Sequence, residues 1–147
     1  MIIVVGVDDS RPSEIAVRRA RILAEQLDAV VKVVFVAHVP ATVLAAMSGL
    51  PTIGDDFAVA QRANVWKGIE PILDGCTQSV ERVDLEGYPP DVLVEYADEQ
   101  GADLIVVGSR GRGDLASLVL GSTSHRVANH APCDVLVVRE RGEEESP

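Results

Sequence analysis

Cysteine is scarce in this chain: Cys76 and Cys133 are the only two, fifty-seven positions apart, with no C-x-x-C and no histidine at metal-ligand spacing. A disulfide framework and a structural zinc site are thereby excluded. Neither is needed, because 147 residues suffice to bury roughly 70% of the unfolded surface in a single domain. A reducing, cytoplasmic setting is expected. Long apolar runs are also missing, none approaching the roughly 20 residues of a membrane span. Met1 leads directly into the strand-like IIVVGV without a basic leader or a cleavage site, so the expectation is a soluble protein retained in the cell. Positive charge is in short supply, with 13 Lys and Arg against 23 Asp and Glu and a formal net charge of −10. Neither a nucleic-acid backbone nor an anionic membrane suits such a surface. An anionic small ligand would have to be held by local geometry.

Catalytic signatures are absent as well. There is no H-E-x-x-H, no Ser-His-Asp order and no cysteine pair beside a base. The two lysines, Lys32 and Lys67, lie far from the glycine-rich stretch described next, whereas phosphoryl transfer calls for a positioned cation, a metal-holding acid and a water-orienting base. His125 and His130, five apart, do not share a helix face, and His38 has no second ligand at metal spacing. No catalytic residue and no metal ligand is assigned. The expectation is binding without efficient turnover, with slow hydrolysis at most.

What the chain does have is the stretch from Asp103 to Ser124, DLIVVGSRGRGDLASLVLGSTS. Leu104 to Val107 reads as a strand buried on both faces of a parallel sheet. Gly108, Gly111 and Gly113 follow, where the backbone approaches a ligand that any Cβ would push away. Gly121 and Ser122 then stand where a helix begins, and the unpaired N–H groups of a helix start make an anion site without a lysine. Three phosphate motifs compete for these glycines. As a Walker A loop the spacing from Gly108 to Gly113 fits, but Asp114 and Leu115 replace the required Lys and Ser/Thr. As a dinucleotide fingerprint Gly111, Gly113 and Ala116 match G-x-G-x-x-A, yet only about one strand remains after it, too little for the second half of such a site. Gly108, Gly111, Gly121 and Ser122 taken together give G-x2-G-x9-G-S, with no position unmatched.

Read in order, Ile2 to Val7 is the first buried strand, and Arg11-Pro12-Ser13-Glu14 carries the start signals of a helix. Along it Ala16, Ala20, Leu23, Ala24 and Leu27 form one apolar stripe, while the arginines at 18, 19 and 21 read as a solvated face. Val30 to Val39 is the second strand. Pro40 to Gly54 is long, uncharged and interrupted by Gly49, Pro51 and Gly54, either a lid or contact surface or a loop packed over the core. Asp55 to Val80 reads as helical with a break near Pro71. Val83 to Leu85 is a short third strand. A helix carrying Val92, Leu93, Tyr96 and Ala97 follows, capped by Gly101. After the glycine-rich stretch, Ser122 to His130 is the fourth helix and Val135 to Val138 the last strand. Residues 1–139 read as one domain and residues 140–147 as a charged, disordered tail. No internal repeat is visible. Strands alternating with helices predict an α/β, Rossmann-like domain: an open five-stranded parallel sheet covered on both faces.

The G-x2-G-x9-G-S pattern resembles that of the ATP-binding branch of the universal stress protein family. The segment HAPCDVLVVR, residues 130–139, resembles the family's closing segment, with Asp134 where proline is more usual. Together with the first strand the resemblance covers nearly the whole chain. It implies the strand order 3-2-1-4-5, which sets strands 1 and 4 side by side and places the ligand between Asp8 and Gly108. Asp8 resembles the aspartate of the family's D-G-S segment and would face the adenosine or a Mg²⁺ on the phosphates. Its alternative is a cap on the helix near Arg11. Asp9 stands where glycine is common. His38 and Val39 match the backbone that recognises the adenine edge. Gly108, Gly111, Gly113 and Gly121 would allow close backbone approach, Ser122 and Ser124 would offer hydroxyls, and Thr123 its amide, to phosphate oxygens. Arg110 and Arg112 would either bond a polyanion or point to water. The implied protein is an ATP-binding, stress-response regulator, with Mg²⁺ on the nucleotide and a regulatory protein partner of unknown identity. The alternatives are a nucleotide-free interaction module, for which Asp9 and Asp114 speak, and an ATP-dependent transferase, whose S-G-G-x-D-S or H-I-G-H loops Asp8-Asp9-Ser10 does not match. In this strand order Val135 to Val138 becomes an apolar edge, and antiparallel pairing with its copy would make a homodimer, as the resemblance also implies.

Overall fold

The computed structural model describes residues 1–38, 46, 51–109 and 120–140, with residues 51–55 as backbone only. Val39, Arg110, Gly111, Arg112 and Gly113, most of the Pro40 to Gly54 connection and residues 141–147 lie outside the described residues.

Among the described residues strands and helices alternate: β1 (Ile2–Val7), α1 (Arg11–Leu27), β2 (Val30–Ala37), α2 (Pro51–Leu73), β3 (Val80–Glu86), α3 (Pro89–Glu99), β4 (Leu104–Gly108), α4 (Ser122–His130) and β5 (Asp134–Val138). The five strands form one parallel sheet in the order β3-β2-β1-β4-β5. β1 runs beside β2 with Val7 opposite Phe35, and beside β4 with Val5 opposite Val106.

Strand alternation divides the core. Ile3, Val5, Val31, Val33, Phe35 and Val106 face α1 and α2, meeting Ala16, Val17, Ala20 and Ala24 of the first and Val65, Ile69 and Ile72 of the second. Val4, Val34, Val36, Ile105 and Val107 face the other way, toward Leu93 and Ala97 of α3 and Val127 of α4. The continuous β-branched runs of β1, β2 and β4 are what a sheet covered on both faces requires. On α1 the alanines of the expected stripe are fully buried, and Val17 joins them, whereas Leu27 is 49% exposed. Leu27 sits in the last turn, where the backbone leaves through Asp28 in the left-handed region, φ 51°.

Three boundaries differ from the sequence reading. The helix expected over Asp55 to Val80 begins at Pro51 and stops at Leu73, two residues past Pro71, and Val80 passes to β3. β3 spans seven residues instead of three. Its charges concealed it: the strand pairs only with β2, and Glu81 opposite Lys32 forms a 2.8 Å ion pair across the ladder. β2 ends at Ala37, and His38 already belongs to the connection. Gly101, just past α3, takes φ 62°, the left-handed residue that ends many helices.

Candidate functional site

At the C-terminal ends of β1, β2 and β4 the connections diverge, leaving a cavity of about 400 Å³. β1 and β4 are neighbours, but their chains leave to different faces, α1 with β1 and α4 beyond β4. Such a switch point is where open parallel sheets hold ligands. The cavity is lined by Asp8, Asp9, Ser10 and Ser13 from the β1–α1 turn, His38 after β2, Phe57 and Gln61 of α2, Pro89 and Leu93 of α3, Gly108 of β4, and Ser122, Thr123 and Ser124 of α4.

The β1–α1 turn is held by its own hydroxyls. Ser10 is the N-cap of α1, its Oγ accepting from the Ser13 amide at 3.4 Å, while Ser13 Oγ accepts from the Asp8 amide at 2.8 Å. Asp8 Oδ1 accepts from the Ser10 amide at 2.8 Å and from the Ser10 hydroxyl. One carboxylate oxygen of Asp8 therefore steadies the cap, although Ser10 and not Asp8 caps the helix, and the half-buried side chain stays on the cavity wall. His38 stands at the end of β2 with its ring edge-to-face on Tyr88, centroids 5.9 Å apart.

Gly108 has a packing reason of its own. A Cβ there would lie 2.8 Å from Pro12 Cβ and 2.9 and 3.0 Å from the Pro12 carbonyl carbon and oxygen. The close approach that requires glycine is to the first turn of α1.

The far wall is the start of α4. Gly121, buried, is the N-cap with φ −65° and ψ 162° and supplies no side-chain cap. Its amide donates to the Ser109 carbonyl at 2.6 Å, and the Ser109 amide donates to Val138 at 2.8 Å, so the chain returns to the top of β4 before the helix begins. Ser124 is 2% exposed, and its Oγ lies 3.1 Å from the Ser109 carbonyl and 3.0 Å from the Gly121 carbonyl. That hydroxyl proton is engaged in closing the loop, unlike the phosphate donor the sequence suggested; the amide of Ser124 is what it brings to an anion. Ser122 is exposed and Thr123 half-buried. The first-turn amides of Ser122, Thr123 and Ser124 have no partner within the helix, so the positive end of α4 faces the cavity.

The profile of the universal stress protein family matches residues 1–139. The chain belongs to the universal stress protein family. Universal stress protein MJ0531 of Methanocaldococcus jannaschii is 32% identical over 143 residues, covering 94% of this chain and 81% of that relative. A universal stress protein solved in complex with cAMP is 31% identical, with a TM-score of 0.69 over 94% of this chain and 96% of its own. A universal stress protein from Archaeoglobus fulgidus, solved in complex with dAMP, is 26% identical, with a TM-score of 0.66 over 93% of this chain and 96% of its own. The five-stranded order of the sheet is that of the universal stress fold expected from the sequence.

Of the residues singled out beforehand, Asp8, His38, Gly108, Ser122, Thr123 and Ser124 all line one cavity, although 100 positions separate Asp8 from Gly108. Gly121 stands behind them as the cap of α4. Phe57 and Gln61 were not foreseen. Only their spacing of four on one helix face marks them, and that signal is shared by every amphipathic helix. Among the described residues no helix is long and apolar enough to cross a membrane.

Proposed function

We propose that this universal stress protein is an ATP-binding regulator that holds its nucleotide without efficient turnover. The observation that carries the reading is the start of α4, whose cap Gly121 brings no side-chain hydrogen bond and whose first turn lines a cavity at the β1/β4 switch point. Phosphate oxygens would bind there as anions bind at a helix N-terminus, and Asp8, on the same cavity wall, would meet a Mg²⁺ on them or a hydroxyl of the nucleoside. A volume of about 400 Å³ lies in the range of small-molecule sites, roughly 300–1,000 Å³. Relatives solved with cAMP and dAMP support an adenine nucleotide as the ligand class. Occupancy then governs which regulatory protein the surface accepts, in a cytoplasm that keeps Cys76 and Cys133 as thiols. The β5 edge pairs antiparallel with its copy in a homodimer, and sedimentation as a monomer at micromolar concentration counts against that assembly.

The test is direct. Small molecules released from the freshly purified, denatured protein are identified by mass spectrometry, and the emptied protein is titrated calorimetrically with ATP, with and without Mg²⁺. Bound adenine nucleotide, micromolar or tighter affinity, and loss of both in Gly121→Val are the expected results. The backbone at Gly121, φ −65°, admits valine, and because the position is buried a thermal melt of the variant, expected to stay cooperative, separates lost binding from lost fold. No released nucleotide and no heat overturn the reading and leave the fold as an interaction module.

A further inference from the structure

The lining of the cavity sorts by wall. Carboxylates, hydroxyls and a helix start lie on the β1–α1 turn and at the head of α4, whereas the side formed by β2 and α2 presents Phe35, Val36, His38 and Phe57, with Gln61 beside them. Aromatic side chains are rare in this chain, two Phe, two Tyr and one Trp, yet both phenylalanines line this one cavity. Phe35 is 1% exposed and belongs to the core that faces α1 and α2. Phe57 has a different place. α2 reaches the core through Val65, Ile69 and Ile72, with Ala58 partly buried against it, while Phe57 stays 40% exposed. A ring that lines the cavity and is open to water is within reach of a ligand that enters there.

A phenyl face has nothing to offer a phosphate: it carries no donor, and its negative π cloud repels an anion. To a nucleobase it offers a flat apolar surface, and base–aromatic stacking grows with the area of the base. With phosphates at the start of α4, the nucleoside end of the ligand extends toward β2 and α2. We infer that Phe57 is a specificity-determining residue: its ring packs on the face of the nucleobase and favours the larger purines over pyrimidines. This inference rests on the nucleotide-binding reading above. The ring of His38, held edge-to-face by Tyr88 at 5.9 Å, borders the same side of the cavity, so the base end is walled by rings on two separate elements of the chain. The aromatic side also orients the ligand, since reversing it would set phosphate against Phe57 and leave the base at the polar head of α4.

The wild-type protein, Phe57→Ala and Phe57→Trp are titrated calorimetrically with ATP and CTP, and each emptied protein is melted. Both nucleotides carry an exocyclic amine and the same phosphates, so the comparison turns on the size of the ring. ATP affinity falls about tenfold in Phe57→Ala, the scale of one lost base–aromatic stack. CTP affinity falls less, and the wild-type preference for ATP narrows. Phe57→Trp keeps the ATP affinity, and its emission changes on adding ATP beyond any change that Trp66 gives in wild type. Because the position is exposed, both empty variants melt within about 2 °C of wild type. Unchanged ATP affinity in Phe57→Ala, losses of equal size for ATP and CTP, or a loss in Phe57→Trp as large as in Phe57→Ala overturns the assignment. A Tm several degrees below wild type in both variants does the same, since it marks a structural residue. A wild-type protein that binds neither nucleotide overturns the functional reading, and this inference with it, whereas one that binds ATP no better than Phe57→Ala does overturns the inference alone.

Discussion

Gly108→Ala asks whether the first glycine of the phosphate-loop pattern serves a ligand or the fold. In the folded chain the added methyl would lie 2.8 Å from Pro12 Cβ, 2.9 Å from its carbonyl carbon and 3.0 Å from its carbonyl oxygen. Carbon atoms in contact prefer about 3.5–4.0 Å, so β4 and the first turn of α1 must separate by several tenths of an ångström. Two of the three obstructing atoms are backbone, in a turn fixed by the Ser10 cap and the Asp8 and Ser13 bonds. Relief by a side-chain rotation is therefore unavailable. Overpacking of this kind costs about 1–3 kcal/mol, and for a chain of this size each kcal/mol lowers Tm by roughly 2–4 °C. Calorimetry and urea unfolding of the nucleotide-free protein should thus show a fall of about 2–12 °C, with the urea m-value unchanged. Pro12→Ala should not rescue it, because alanine retains the Cβ and the carbonyl. Gly101→Ala is the contrasting case: nothing lies within 4 Å of its added methyl, but φ is 62°, so its loss is conformational and Gly101→Asn should recover part of it. A Gly108→Ala protein that melts within a degree of wild type would refute the steric argument and return Gly108 to the ligand.

Ser124→Ala should destabilise the empty protein by about 1 kcal/mol in urea, the usual net worth of one hydrogen bond. The loss stays small because Ser109 and Gly121 keep other donors, the amides of Gly121 and His125; a loss above about 3 kcal/mol would contradict this. Alkaline pH should destabilise the fold progressively from about pH 9. Burial pushes the Cys133 thiol above its ordinary 9.0 and the Tyr96 phenol above 10.0, and the hydrogen bond to Glu81 raises Lys32 above 10.5. All three folded-state pKa values are raised, so their stabilisation is fully present below the unfolded values and is lost as pH climbs through the folded ones. Thermal melts across pH 8–11 follow this, and Cys133→Ser should flatten the earliest part of the decline.

Legibility followed burial. β1, β2 and β4 lie inside the sheet, and their uninterrupted β-branched runs state this without help from context. β3 lies at the margin, where Glu81, Arg82, Asp84 and Glu86 are tolerated, and its true length is seen only once Lys32 is placed opposite Glu81. The end of α2 was obscured because Pro71 sits inside its last turn, so the proline announces a stop without fixing it. In the site, Asp8, Gly108 and Ser122 to Ser124 were legible because backbone demands write themselves as turn, glycine and cap residues. Phe57 was not. Its place on the cavity is a fact of tertiary packing, and nothing in the string of letters distinguishes it from any other exposed phenylalanine. Gly108 was legible as a constrained glycine, but the constraint, a proline almost a hundred positions away, belongs to the folded chain.

The two margins of the sheet are chemically unlike. Along β3, Arg82 meets Glu70 and lies over the Trp66 ring, Trp66 and Arg62 both reach Asp84, and Lys32 meets Glu81; another strand docking there would have to desolvate that array. β5 offers Val135, Leu136 and Val137, half-buried and uncharged. In the language of polymers, a subunit that pairs through β5 as proposed would be monofunctional: one end to react, and a charged margin at the other. Strand addition on such a unit would terminate after a single step. Reversing the charges on β3 would leave this intact, whereas making that margin neutral and apolar would turn a self-limiting unit into one that can propagate.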